Sequence, residues 1–115
     1  MNLIEEMKGS LSMEVRSNSR GSEYLEAVIE TKDLGLLNSI LRKHLGPAAK
    51  ESGKEGSLPI EVQKIVDSLG GLWKDQSFFY RQEGDKVTYC AIWPWQSDPT
   101  KVTLKSGERK LVPTN

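Results

Sequence analysis

The sequence holds very little cysteine and histidine, and these shortages exclude several kinds of site. Cys90 is the only cysteine among 115 residues, so neither a disulfide within the chain nor a thiolate cluster for zinc can form. His44 is the only histidine, which excludes a histidine cluster for a metal. We therefore expect no metal site, and a lone thiol within an apolar segment suits a reducing compartment.

Net charge and long apolar stretches are also absent. Sixteen basic side chains balance sixteen acidic ones, so the summed field offers nucleic acid or an anionic membrane no long-range attraction. No run approaches the roughly eighteen apolar residues of a membrane span, and the opening M-N-L-I-E-E-M-K-G lacks the features of a secretory signal. We expect a cytoplasmic protein without membrane contact. Nucleic-acid binding is unfavourable unless the basic residues of 101–110 form a clustered strip.

Alternating apolar residues predict an antiparallel hairpin in the first third of the chain. With 37% hydrophobic and 28% charged residues, the composition is typical of one compact domain, which we place at 1–115. Leu11, Met13 and Val15 share one face of a predicted strand. After the turn S-N-S-R-G-S, the segment E-Y-L-E-A-V-I-E, residues 23–30, repeats the period of two and completes the hairpin.

Two helices are predicted in the middle of the chain. Apolar residues recur at helical spacing over 34–45, and Gly46 followed by Pro47 is typical of a helix end. The same spacing over 58–69 predicts a second helix, which two glycines end. Residues 48–57 between them include no large apolar side chain, so we expect a mobile loop there.

The last third predicts a second hairpin and one further strand. Two aromatic runs, L-W-K-D-Q-S-F-F-Y-R and V-T-Y-C-A-I-W-P-W, are joined by a Gly-Asp turn. The tail then shows K-V-T-L-K, a predicted turn at S-G-E, and R-K-L-V. The complete pattern predicts an α+β fold in the order β-β-α-α-β-β-β, with an antiparallel sheet of about five strands and two helices packed on one face.

The segment W-P-W gathers aromatic side chains at one end of a predicted strand. If 86–95 is a strand, Tyr89, Trp93 and Trp95 share one face with Val87 and Ala91. One interpretation is ordinary packing, which is what large aromatic residues mostly do. The other is a stacking surface for a sugar, a base or a side chain of a partner.

The segment G-G-L-W-K-D-Q, residues 70–76, also allows two interpretations. It can end the second helix and begin a strand, with Trp73 in the core. Alternatively, the paired glycines let a ligand or partner backbone approach, with Lys74, Gln76 and Arg81 as polar contacts. The glycine spacing matches neither a phosphate loop nor a dinucleotide-binding motif, so we expect no cofactor.

The sequence shows no assembled catalytic set. His44 falls in the last turn of the first predicted helix, where a cation interacts favourably with the helix dipole. Cys90 falls in an apolar strand, where a thiol is buried and unreactive. Carboxylates occur near the ends of predicted elements and no spacing pairs them. These features favour a protein that is not an enzyme.

The function predicted from the sequence is the non-catalytic binding of another macromolecule, a protein partner, through an aromatic-bearing face of the sheet. The alternative is a small-molecule binding protein or enzyme with a pocket between helices and sheet, lined by Trp73, Tyr89 and Trp93. The sequence pattern does not predict the oligomeric state. The candidate binding residues are Trp73, Lys74, Gln76, Tyr80, Arg81, Tyr89, Trp93 and Trp95.

Overall fold

The computed structural model describes residues 2–21, 23–51, 53, 58–70 and 76–111, and this part of the chain contains three α-helices, one turn of 3₁₀ helix (Thr31–Asp33) and one five-stranded sheet. The helices are α1 (Leu3–Ser10), α2 (Leu34–Leu45) and α3 (Ile60–Ser68). The strands are β1 (Glu14–Val15), β2 (Tyr24–Glu30), β3 (Ser77–Glu83), β4 (Lys86–Pro94) and β5 (Lys101–Lys110). Their order in the sheet is β1-β2-β5-β4-β3, and all neighbouring strands are antiparallel. The predicted α+β class and antiparallel sheet are confirmed.

The predicted period of two holds along β4 and gives the sheet two apolar faces. Cys90 and Ile92 point to a cluster that includes α1 and α2, so we call this side the α1/α2 face. Tyr89 and Ala91 point to a second cluster that includes Val62 and neighbouring residues of α3, so we call this side the α3 face. β4 is therefore covered on both sides, and Pro94 occupies its last position, where no further ladder bond is needed.

Two helices pack on one face, but the pair differs from the predicted one. The α1/α2 face holds α2, which is the first predicted helix, together with α1, which the sequence analysis did not identify. The second predicted helix is α3, and it contacts the opposite face. Because both faces of β3 and β4 are apolar, each needs a cover, and helices on a single side would leave Phe78 and Tyr89 in water.

Helix α1 is held to α2 by apolar packing and by one carboxylate. Asn2 caps its first turn by accepting a hydrogen bond from the Glu5 backbone N–H at 2.9 Å. Glu6 accepts hydrogen bonds from Lys43 Nζ at 2.5 Å and engages His44 Nε2 at 2.9 Å. His44 therefore lies at the end of α2, as predicted, and also bridges to α1.

The first and the last strand along the chain differ from the predicted strands. β1 has two residues, and Val15 is exposed, whereas Leu11 is the buried C-cap of α1. β5 runs without interruption through the predicted turn at S-G-E, so that prediction is wrong. Gly107 pairs with Tyr24 of β2 and with Tyr89 of β4, and the ladders on both sides keep this segment extended.

Part of the predicted mobile loop pairs with the edge of the sheet. Lys50 forms an isolated antiparallel bridge with Phe78 of β3, and its N–H donates to the Phe78 carbonyl at 3.2 Å. Residues 52 and 54–57 of the same segment lie outside the described residues. Within the described part of the chain, no helix has the length and apolar character needed to span a membrane.

Candidate functional site

Trp93 and Trp95 lie on the α3 face at the end of β4, and each is half-buried beneath a lysine of β5. The Lys105 ammonium is 4.9 Å from the centre of the Trp93 ring, and the Lys101 ammonium is 5.4 Å from the centre of the Trp95 ring. Thr103 lies between these lysines and accepts a hydrogen bond from Trp95 Nε1 at 2.8 Å. We call these five residues the lysine–tryptophan surface.

The lysine–tryptophan surface is neither a free stacking platform nor a closed core. Trp93 packs against the apolar cluster of α3, and a lysine of the same chain lies over each ring. Such cation–π pairs are worth about 0.5 to 1 kcal/mol at exposed sites. The ammonium groups themselves lie over the aromatic rings, and both lysine side chains remain partly exposed. A ligand at this surface would therefore contact mainly positive charge, with the two indole rings beneath it.

The ammonium groups of Lys101 and Lys105 form no ion pair within the described part of the chain. Each lysine has a glutamate directly opposite on β2, but both glutamates are engaged elsewhere. Glu26 accepts hydrogen bonds from Tyr24 Oη at 2.9 Å and Asn18 Nδ2 at 3.0 Å. Glu30 pairs with Lys32 at 3.6 Å. Neither lysine of β5 is therefore paired with the glutamate beside it.

A polar cavity of about 250 Å³ adjoins the lysine–tryptophan surface on the α3 face. It lies between the C-terminal end of α3, the connection from β1 to β2, and β5. Lys105 belongs to both sites, and its ammonium also donates to the Leu69 carbonyl at 3.3 Å. The other cationic side chains of the wall are Arg20 and Arg109.

Gly107 allows two tyrosines to meet at the wall of this polar cavity. A Cβ atom at this position would lie 3.1 Å from Tyr89 Oη, 3.2 Å from the Glu23 carbonyl and 3.3 Å from the Tyr24 ring. The glycine needs no special backbone angle here, since its φ lies in the region open to all residues. It is required instead for close approach, as glycine inside a strand often is.

Both tyrosines of the polar cavity stay protonated at neutral pH. Burial raises the pKa of Tyr24, and the hydrogen bond to the Glu26 carboxylate raises it further. Burial also raises the pKa of Tyr89, although the nearby Arg109 guanidinium opposes that shift. The site thus combines neutral phenol groups with permanently charged guanidinium groups.

The predicted candidate residues are scattered over several parts of the molecule. Tyr89 lines the polar cavity, and Trp93 and Trp95 belong to the lysine–tryptophan surface. Tyr80 lies half-buried on the edge strand β3, packed against the α3 cluster. Arg81 is exposed and pairs with Glu83 at 3.2 Å. The structure therefore places Tyr89, Trp93 and Trp95 on one face of the sheet but in two neighbouring sites, and leaves Arg81 apart from them.

The segment 70–76 is described only at its two ends. Trp73 and Lys74 lie outside the described residues. Gln76 is buried, and its backbone carbonyl accepts a hydrogen bond from Lys50 Nζ at 2.6 Å. Gly70 adopts φ of 109°, a conformation that favours glycine. This geometry agrees with the predicted helix end at the glycines.

The lone cysteine is a core residue. Burial raises the pKa of the Cys90 thiol to about 12, so it is not a thiolate at neutral pH. Its side chain lies on the α1/α2 face, while His44 interacts with Glu6. Within the described part of the chain, no three side chains of His, Cys, Asp or Glu are arranged to hold a metal ion.

Four cationic residues of these two sites were not predicted from the sequence as site residues: Arg20, Lys101, Lys105 and Arg109. Residues 101, 105 and 109 are spaced by four, which places them on one face of an uninterrupted strand. The predicted turn at S-G-E concealed this spacing, because it separated Arg109 from the other two. Comparisons with protein-family models, with curated proteins and with solved structures gave no match.

Proposed function

We propose that this protein is a non-catalytic binding module whose lysine–tryptophan surface contacts an acidic segment of a protein partner. The observation that carries the proposal is the pair of lysines over Trp93 and Trp95 without carboxylate partners in the described part of the chain. A carboxylate of a partner would supply the missing charge. The tryptophans would add apolar contact area, and aromatic residues are enriched at protein interfaces.

A protein partner fits this surface better than a nucleic acid does. Lys101, Lys105 and Arg109 do form a basic row along β5, which is the feature that nucleic-acid binding requires. Yet Glu26 and Glu30 form a parallel acidic row on β2, and the formal net charge of the chain is zero. A long polyanion lying over both rows would meet repulsion as well as attraction. A short acidic polypeptide that follows the basic row of β5 alone would meet the attraction without this repulsion.

A peptide titration tests this proposal directly. We expect a short polyglutamate peptide at low salt to shift the NMR signals of the Trp93 and Trp95 indole N–H groups and of the 101–105 amides. The shifts should weaken as salt is added, because exposed charges are screened over about 10 Å at 0.1 M salt. Lys101→Gln with Lys105→Gln should abolish them, since this change removes the charge and keeps most of each stem.

Lys64→Gln is the matched control, because Lys64 is an exposed lysine of α3 outside this surface. It should leave the titration unchanged. A polylysine peptide that shifts the same signals as polyglutamate would contradict the proposal, as would binding of polyglutamate that survives the double substitution. A single-stranded oligonucleotide that binds here when polyglutamate does not would replace the protein partner with a nucleic acid.

The polar cavity favours a second function, the binding of a small molecule. It lies between α3 and the sheet; of the three residues that the alternative interpretation named, Tyr89 lines it, Trp93 does not, and Trp73 lies outside the described residues. Its volume of about 250 Å³ is below the roughly 300 Å³ at which pockets for drug-sized ligands begin. The cavity thus suits a small ligand group better than a large cofactor.

A further inference from the structure

The wall of the polar cavity concentrates positive charge from two separate parts of the chain. Arg20 comes from the connection between β1 and β2, whereas Lys105 and Arg109 come from β5. The wall also includes two carboxylates, those of Glu23 and Glu108. Cations therefore outnumber carboxylates around a small concave space, where charges are screened less than on an open surface.

The cations of the wall are not neutralised by ion pairs in the described part of the chain. Arg20 has its guanidinium carbon 6.0 Å from the centre of the Tyr24 ring and pairs with no carboxylate there. Arg109 lies near the Tyr89 hydroxyl and likewise forms no ion pair with a described residue. Of the two carboxylates, that of Glu108 already forms an ion pair with Lys86, with Oε1 and Nζ 3.8 Å apart. The cavity thus keeps cationic groups that an anion can satisfy.

The neutral groups of the wall are also suited to an anion. Tyr89 remains a protonated phenol, because burial raises its pKa, and a phenol O–H can donate to an anionic oxygen. The Asn18 amide at the same wall donates one N–H to Glu26 at 3.0 Å and keeps a second N–H for a ligand. Guanidinium groups contribute two parallel N–H donors each, which match the oxygen spacing of carboxylate and phosphate.

We propose that the polar cavity binds the oxyanion group of a small molecule, a phosphate or a carboxylate, held by Arg20, Arg109 and Lys105. This site goes beyond the peptide-binding surface, since its ligand is a small molecule and two of its cations take no part in that surface. The close approach at Gly107 leaves the wall free of a methyl group that would crowd both tyrosines. Inorganic phosphate and acetate are suitable probes because each is small enough for the cavity.

The test is a titration of the full chain with phosphate and with acetate at constant ionic strength, read from the side-chain Nε–H NMR signals of Arg20 and Arg109. We expect saturable shifts of both signals with one of the two anions, and the anion that binds more tightly identifies the ligand group. Arg20→Gln should weaken that binding by about tenfold or more, because a charge-assisted hydrogen bond is worth about 1.5 to 3 kcal/mol.

Arg42→Gln is the matched control, because Arg42 is exposed at the end of α2, away from the α3 face. It should leave anion binding unchanged. Arg109→Gln should also weaken binding, and since Arg109 touches buried Tyr89, Arg20→Gln serves as the variant whose contacts are at the surface. The proposal is overturned if neither anion gives a saturable shift, or if Arg20→Gln binds as tightly as the wild type.

The two proposals can fail separately. Arg20→Gln leaves Lys101 and Lys105 intact, so it should abolish most anion binding while polyglutamate binding persists. Anion binding without any response to polyglutamate would support the cavity and remove the peptide surface. A polyglutamate response that Arg20→Gln weakens as strongly as it weakens phosphate binding would contradict a separate cavity site.

Discussion

The α1/α2 face and the α3 face belong to the same five strands, but different side chains cover them. On β2 and β5, the α1/α2 face presents Leu25, Ala27, Ile29, Val102 and Leu104, all buried. The alternate residues of the same two strands give the α3 face a mixed set of charged, polar and aromatic residues: Tyr24, Glu26, Val28, Lys101, Thr103 and Lys105. Across β2 and β5 the α1/α2 face is therefore mainly apolar, with Ser106 as a buried polar residue, whereas the α3 face is apolar only over β3 and β4.

The length and position of α3 explain this difference. The helix has nine residues and is about 14 Å long at 1.5 Å per residue, and its apolar cluster reaches only β3 and β4. Neighbouring strands are about 4.8 Å apart, so the rest of the sheet lies beyond the helix. The uncovered half needs polar side chains to meet water, and it is also the half that a ligand can reach. The α1/α2 face and the half of the α3 face beneath α3 both belong to the core, whereas the proposed binding sites lie on the half that α3 leaves uncovered.

The largest expected effect compares two consecutive residues of β5. Leu104 is fully buried on the α1/α2 face, so Leu104→Ala should lower the free energy of unfolding by about 2 to 5 kcal/mol. Lys105→Ala on the α3 face loses a cation–π contact and a hydrogen bond to Leu69, and it should cost about 1 kcal/mol. Urea unfolding of both variants measures the contrast. Equal losses would mean that the α3 face is as important for stability as the α1/α2 face.

The next effect tests the close approach at the wall of the polar cavity. Gly107→Ala should lower the free energy of unfolding by about 1 to 3 kcal/mol, because the new Cβ would crowd Tyr89 Oη and a backbone carbonyl. Gly35→Ala is the matched control: its Cβ would meet no atom within 4 Å, and alanine is the better residue within α2. That control should stabilise the protein by about 0.5 to 1 kcal/mol.

A second variant identifies the atom that causes the crowding. Tyr89→Phe removes the hydroxyl nearest to the position of the new Cβ, so Gly107→Ala should cost less in that background. Thermal or urea unfolding of both single variants and the double variant gives the coupling energy between the two positions. If the cost is the same with and without the hydroxyl, the Glu23 carbonyl and the Tyr24 ring are responsible instead.

Period-two and helical spacing predicted most of the fold, because local side-chain direction determines which residues face a core. β2, β4 and α2 lie where their patterns placed them. Helix α1 was missed although its sequence carries the signals: Asn2 as a cap, acidic residues in the first turn, and Leu3, Ile4 and Met7 at helical spacing. The face of the sheet that each helix covers could not be predicted from the sequence, because both faces of β4 are apolar and a helix can pack against either face.

The candidate site was predicted only in part, because it depends on contacts between strands distant in sequence. The tryptophans were found from W-P-W, but the lysines above them belong to β5 and become neighbours only through the β4–β5 register. Gly107 was interpreted as a turn residue, since S-G-E is a common turn sequence. Its actual role depends on Tyr24 and Tyr89 meeting over it, which no local pattern contains.

The smallest expected effect concerns the ion pairs of Glu6 in α1 with Lys43 and His44 in α2. Hydrogen bonds from Lys43 and His44 lower the pKa of Glu6 below its ordinary value of 4.5. A carboxylate whose pKa is lower in the folded state stabilises that state above the unfolded pKa, and the contribution disappears as the pH falls through the folded value. The wild type should therefore lose more stability than Glu6→Gln when the pH falls from about 5 to about 3.

Urea unfolding at both pH values measures this difference, and Glu5→Gln is the control, because Glu5 is an exposed carboxylate on the same helix. The two faces of the sheet should also differ in the order in which they lose protection from amide exchange as the pH falls. Amide exchange should rise in α1, which Glu6 joins to α2, before it rises in β4 beneath α3, whose cluster contains no such ion pair among its residues. An equal acid response of wild type and Glu6→Gln would show that apolar packing alone holds α1 on the sheet.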